Sequence, residues 1–337
     1  MTNNALIEFK NVTKRFGDRT ILNRVNLRIY DAEVTTIIGK SGTGKSVLLK
    51  HIIGLLKPDE GDILFRGKPV DKMSKAEWNE YISQISYMFQ NNALFDSMTV
   101  FENVALPLRQ TTKLDKKKIE EKVMARIKQT ELAEVAQKYP SELSGGMQKR
   151  VALSRALVTD PRIVLFDEPT TGQDLIRRNA ILGMIAEYQR KFGFTAVLIS
   201  HDLPDVFFIS NRIIALDGGG VVFQGTPEEL EKFEHPFVDE FIDSLESFQE
   251  HLTGLHSKRN FKARYQTQMR QKHPHEVFAL ATFSVEKLDL VGTSLGHETS
   301  QKVIKALGAY INKHFGSMGG FSTRESRGRF VTILPFF

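Results

Sequence analysis

From residue 6 to about residue 223, short apolar runs alternate with amphipathic stretches. Ile7, Phe9 and Val12 alternate with polar neighbours and Val34-Thr35-Thr36-Ile37-Ile38 is a β-branched run, so residues 6–38 are predicted to be strands. That run enters a glycine-rich turn, and residues 46–56 then place apolar side chains at helical spacing. Residues 85–89 read as another strand. Between residues 92 and 150 the pattern changes: Pro107 is expected to end one segment, charge-laden helical patterns fill 113–137, and Pro140 is a break. The core pattern resumes beyond Arg150, with a helix over 151–158, a buried strand over 163–166, a helix over 180–191 and a strand over 196–200. Residues 213–216 and 221–223 flank Asp217-Gly218-Gly219-Gly220 and read as a hairpin. Strands alternating with helices predict an α/β fold, helices on the faces of a sheet, with 92–150 as a helical insertion. A second βα-like pattern follows residue 250.

At 337 residues the chain is long enough for two domains, or for one large domain with an appendage. It has no run of about 18 apolar residues that could span a bilayer, and no basic-then-apolar leader at its N-terminus. Without cysteine it has no disulfide or thiolate chemistry, which suits the cytoplasm. The formal charge of +6 is uneven: residues 1–250 hold 33 basic and 35 acidic side chains, residues 251–337 hold 13 and 5. A basic tail reads either as a solvated face or as an attraction for an anionic membrane surface or nucleic acid.

Gly39-Lys40-Ser41-Gly42-Thr43-Gly44-Lys45-Ser46 fits G-x-x-x-x-G-K-[ST] between a strand and a helix. Glycines let the backbone curl so that its N–H groups face phosphate oxygens, and the helix N-terminus adds its positive end. Lys45 would reach the β- and γ-phosphates of ATP, and the Ser46 hydroxyl would ligate Mg²⁺. The strand over 163–166 runs into Asp167 and Glu168. Asp167 is the candidate Mg²⁺ ligand, directly or through water, and Glu168 the candidate base for the attacking water.

With these residues in place the chain resembles the nucleotide-binding subunit of an ABC transporter over residues 5–247. Phe16-Gly17 sits where that family stacks an aromatic ring on adenine. Gln90 ends the 85–89 strand like the family's Q-loop glutamine, a metal ligand and catalytic residue. Leu143-Ser144-Gly145-Gly146-Met147-Gln148 is similar to the signature turn, Gly172-Gln173-Asp174 to the D-loop, and His201 to the switch histidine. The resemblance implies that Ser144, Gly145 and Gly146 bind ATP, with Ser144 and Gly146 contacting the γ-phosphate bound to a second copy of the chain, so that two ATP molecules are buried between two chains. Simpler readings stand beside it: Phe16 as packing, Gln90 as a surface residue, His201 as a structural histidine, Ser144 as a helix N-cap. All catalytic positions carry competent residue types, so an active ATPase is expected.

Residues 91–109, after the Q-loop, and Gln173, where most ABC ATPases have Leu, are similar to the ATPase of Mla-type (MCE-associated) phospholipid transporters. That family usually has Pro where Leu175 stands, a departure that bears on D-loop stiffness. The resemblance implies a separate membrane permease, an MCE-type substrate-binding protein and a peripheral place on the cytoplasmic face of the inner membrane, with no nucleic-acid partner. The alternatives are an ABC ATPase for another solute and a soluble ABC ATPase of translation or repair. The latter carry tandem units or a long coiled coil, and this sequence has neither.

Residues 248–337 form the second expected domain, α+β. Leu252-Thr253-Gly254-Leu255-His256-Ser257-Lys258-Arg259-Asn260-Phe261 resembles the opening of GGDEF (diguanylate cyclase) domains. Residues 283–288 fall on that family's first motif strand, Gly296-His297 on its Gly-His, 303–311 on the next helix, and 324–330 on R-Y-G-G-D-E-F, leading into a strand over 331–334. Ser284, Gly292, Gln301, Arg327, Gly328 and Arg329 replace metal-binding, guanine-reading and phosphate-admitting residues. The resemblance therefore implies a degenerate, shortened domain without cyclase activity.

Overall fold

Five consecutive buried residues, Val34–Ile38, form a strand inside a six-stranded sheet, as a β-branched run buried on both faces should. The computed structural model describes residues 5–89, 92–173, 175–200, 206–207, 209–238, 242, 250–271, 277–288, 291, 297–326 and 328–335. The chain divides into two compact units, Met1–Phe233 and Glu234–Phe337.

In the first unit the strands are β1 (Ile7–Phe16), β2 (Arg19–Ile29), β3 (Val34–Ile38), β4 (Glu60–Phe65), β5 (Lys68–Pro69), β6 (Ile85–Met88), β7 (Ile163–Asp167), β8 (Thr195–Ser200), β9 (Arg212–Asp217) and β10 (Gly220–Gly225). The described helices used below are α1 (Lys45–Ile52), α2 (Lys75–Ser83), α3 (Val100–Thr111), α4 (Lys116–Gln129), α5 (Gly145–Leu157) and α6 (Leu175–Phe192). One sheet is antiparallel, in the order β2-β1-β4-β5; the other runs β10-β9-β3-β8-β7-β6, parallel except for the β9–β10 hairpin. Leu48, Leu49 and Ile52 of α1 share one buried cluster with Phe9, Val25 and Ile29 of the antiparallel sheet and Ile37, Leu165 and Ile199 of the parallel one. The helix that follows the glycine-rich loop is therefore packed against both sheets, which fixes the loop from two sides.

Residues 92–150 build a helical subdomain with a core of its own, including Val104, Leu108, Val123 and Ile127, and Val151 at the start of the next stretch closes it. Contrary to the sequence expectation, Pro107 lies inside α3 and does not end it. Proline removes one main-chain bond, but Val104, Ala105 and Leu108 are buried on one stripe and hold the helix through the gap. Thr99 and Glu102 form a capping box at its start. Asn103, fully buried, ties down the preceding turn: its Nδ2 donates to Phe95 O (3.1 Å), Met98 O (3.0 Å) and Thr99 O (3.1 Å).

The second unit contains the helices Lys258–Gln271 and His297–Gly316 and the strands β11 (Phe278–Ser284), β12 (Phe321–Arg324) and β13 (Arg329–Pro335), antiparallel in the order β11-β13-β12. Leu255, Ile304, Ile311 and Phe330 form its buried cluster, with Phe283 and Phe315 against it. The strand expected over 283–288 is Phe278–Ser284, and the chain leaves it through a turn in which Lys287 has φ +56°. Gly292, Gly296 and Arg327 lie outside the described residues.

Candidate active site

The glycine-rich loop starts where β3 ends, at the carboxyl edge of the parallel sheet, the edge at which open α/β sheets bind ligands. Gly44 has φ +99°, a conformation strained for any residue with a Cβ, and a Cβ there would also press on Leu22 Cδ2 at 2.8 Å. Thr43 closes the loop, its amide and hydroxyl donating to Lys40 O at 3.3 and 2.9 Å. Lys45 is 5% exposed and folds beneath the loop, its Nζ donating to Gly39 O at 2.8 Å and to Lys40 O at 3.0 Å. Burial pushes its pKa down, while Glu168 and Asp167 act in the opposite direction. The first turn of α1 has no acidic residue and no side-chain cap, so its amides remain donors for an anion.

Ser46 Oγ donates to Asp167 Oδ1 at 3.1 Å, and the Tyr87 phenol donates to Oδ2 at 2.6 Å. Burial first, and then the Asp167 carboxylate, raise the Tyr87 pKa, which keeps it a proton donor. Ser46 and Asp167 thus converge as hard oxygen donors, a set that suits Mg²⁺ better than a softer ion. Glu168 has φ +46°, a left-handed conformation uncommon outside glycine, and it turns the chain sharply at the strand end. Its Oε2 accepts from Thr171 Oγ1 at 2.9 Å, while the Thr171 amide donates to Glu168 O at 3.2 Å.

A cleft of about 380 Å³ brings together Phe16, Ser41, Gly42, Gly44, Lys45, Ser46 and Glu168. The Phe16 ring is 49% exposed there, with the Lys14 ammonium 5.5 Å from its centre. Ser144 caps α5, its Oγ accepting from the Met147 amide at 3.3 Å. Ser144, Gly145 and Gly146 are exposed and do not line the cleft, and a Cβ on either glycine would meet nothing within 4 Å. Gln90, Asp174 and His201 lie outside the described residues. Sequence reasoning missed Arg19 and Ile21 in the cleft wall, Tyr87 on Asp167 and Thr171 on Glu168. Only Thr171, three residues beyond the candidate base, had a local signal. A larger cavity of about 580 Å³, lined by His51, Lys57 and Trp78 among others, contains none of the predicted site residues.

A central parallel strand, a glycine-rich loop, a lysine beneath it and a Ser–Asp pair beside it define a nucleotide-binding protein of the P-loop class. Residues 22–171 match the ABC transporter family, and residues 247–336 match the family "Diguanylate cyclase, GGDEF domain". The chain is 38% identical over 240 residues to the intermembrane phospholipid transport system ATP-binding protein MlaF of Haemophilus influenzae, an alignment covering 71% of this chain and 91% of that protein. The spermidine/putrescine import ATP-binding protein PotA of Haemophilus ducreyi is 32% identical over 342 residues, 99% of this chain and 90% of that one. Among solved structures, the dimeric post-hydrolysis ATP-binding cassette MJ0796, bound to ADP and Pi, superposes with a TM-score of 0.57 at 32% identity, over 66% of this chain and 98% of that one. The chain belongs to the ATP-binding subunits of ABC transporters, an ATPase family, and carries a GGDEF domain on the same polypeptide. No helix among the described residues is long and apolar enough to cross a membrane.

Proposed function

We propose that the chain powers phospholipid transport between membranes as the ATP-hydrolysing subunit of an Mla-type transporter. The observation that carries this reading is the 38% identity to MlaF across 91% of that protein, and Gln173 in the D-loop agrees with it. In this reading the ATPase domain spans residues 1–247 and works as a pair at the cytoplasmic face of the inner membrane. Its partners are a separate permease, docked near Gln90 and residues 93–104, and an MCE-type protein.

Each chain would bind ATP with the loop from Gly39 to Ser46 and stack adenine on Phe16. Lys45 and the α1 amides would hold the phosphates, while Ser46, Asp167 and Gln90 would hold Mg²⁺. Bound there, Mg²⁺ supplies neutralising charge to the β- and γ-phosphate oxygens. Glu168 would accept a proton from the attacking water, with His201 and Asp174 completing the site. The Ser144-Gly145-Gly146 turn would close on the partner's γ-phosphate. Its exposure, the open space around both glycines and the paired state of the MJ0796 cassette support that role in trans.

Residues 248–337 are read as a GGDEF-like domain without cyclase activity. Ser284 stands for a metal-binding carboxylate, and Arg327, Gly328 and Arg329 stand where phosphate entry and two acids are needed. Two Mg²⁺ ions have no ligands there.

The test is to purify the tagged chain with its membrane partners, identify the permease and analyse the bound lipid. A permease with phospholipid in its cavity is the expected result. A permease specific for a small solute would overturn the lipid assignment and favour the second reading, an importer, which the full-length alignment to PotA supports.

A further inference from the structure

We propose that Tyr87 is the positioning residue of the Mg²⁺ site: it fixes which oxygen of Asp167 faces Ser46. The inference rests on the ATPase reading above and deepens it.

A carboxylate at the end of a strand turns easily, because its terminal torsion is broad and roughly two-fold. One hydrogen bond from Ser46 would leave Asp167 free to swing about that contact. The second donor removes this freedom. Tyr87 lies on β6, beside Leu165 of β7 in parallel register, and its side chain reaches along the strand to Asp167. The phenol donates to Oδ2 at 2.6 Å, while Oδ1 sits 3.1 Å from Ser46 Oγ. The ring is itself braced, its centre 4.6 Å from that of Phe89. A phenol has a single proton, and this one is committed to Oδ2. Oδ1 therefore keeps its lone pairs on the side of Ser46, where a cation shared by the two oxygens would sit. Outer partners of this kind typically change metal affinity by roughly 10- to 100-fold when removed.

Tyr87→Phe keeps the ring and its packing and removes only the donor. Binding of a fluorescent ATP analogue to the full chain is measured first in EDTA and then as Mg²⁺ is added. The expected result is EDTA affinity within about two-fold of the parent, which also verifies folding, and a half-saturating Mg²⁺ concentration raised on the order of ten-fold or more. In an Asp167→Ala background the same change at Tyr87 should add nothing further, because the side chain through which it acts is gone. An unchanged or lower Mg²⁺ requirement in Tyr87→Phe, or a full effect in the Asp167→Ala background, would overturn the proposal while leaving the ATPase reading intact. Failure of the parent chain to bind nucleotide in either condition would overturn both.

Discussion

Arg155 reaches from the last turn of α5 to Ala93, donating Nη1 to its carbonyl oxygen at 2.6 Å. Nη2 donates to the neighbouring Asn92 O, also at 2.6 Å. Asn92 and Ala93 have φ +61° and +46°, conformations that cost energy for residues with a Cβ. The helix that begins at the signature turn thus holds the segment following Gln90 in a strained shape. Arg155→Lys cannot reproduce the fork. Hydrogen exchange at residues 92–99 should accelerate in that variant, with a loss of about 1–3 kcal/mol from charge-assisted bonds in this half-buried place. Exchange no faster than in the parent would show that the fork does not hold the segment.

Glu168→Gln should reduce ATP turnover by at least about a hundred-fold, the usual contribution of a positioned base, while ATP affinity is retained. Size-exclusion chromatography with ATP should then reveal a stable pair of chains. Undiminished hydrolysis in the variant removes Glu168 from the role of base.

Action in trans predicts complementation. Lys45→Ala should weaken ATP binding by about 10- to 100-fold through the lost charged contact, and Gly146→Asp should block the partner's site. In a mixed pair one composite site carries both lesions and the other carries none. Mixing the two inactive proteins should therefore restore one occluded ATP per pair, counted with radiolabelled nucleotide. Sites that were complete within one chain would give no recovery.

Glu77 predicts a feature at low pH. Bonds from Lys68, and from the Ser74 amide and hydroxyl of the α2 cap, lower its pKa to about 2. A carboxylate with a depressed folded-state pKa stabilises the fold fully above its unfolded value, about 4.5, and loses that contribution as pH falls towards 2. Thermal midpoints of Glu77→Gln should be less sensitive to pH between about 5 and 2 than those of the parent. Identical slopes would mean that other acids carry the transition.

For the second unit, incubation of the full chain with GTP and Mg²⁺ should yield no cyclic-di-GMP by chromatography. Any product above the no-enzyme control would restore the cyclase reading.

The glycine-rich loop was legible in the sequence because backbone geometry dictates residue type: at Gly44 a φ of +99° strains any residue with a side chain. Strand β3 was legible because five apolar or β-branched residues in a row suit burial on both faces. Tyr87 was visible only as one more aromatic in a strand. Its bond to Asp167 spans 80 positions, and no local pattern encodes such a contact. Pro107 misled because local propensity was outweighed by the burial of Val104, Ala105 and Leu108. In the second unit the motif register placed the strand over 283–288, whereas the left-handed turn at Lys287 ends regular pairing at Ser284.

Lys45 and Thr43 already hold Lys40 O from within the loop, and Lys45 holds Gly39 O as well. Nucleotide therefore meets a cradle that exists before it arrives. Little of the binding free energy has to order a disordered segment, a cost that would otherwise be subtracted from affinity. In the proposed pair of chains, what is left over is free to do mechanical work, drawing one chain onto the other and straining whatever is attached to them.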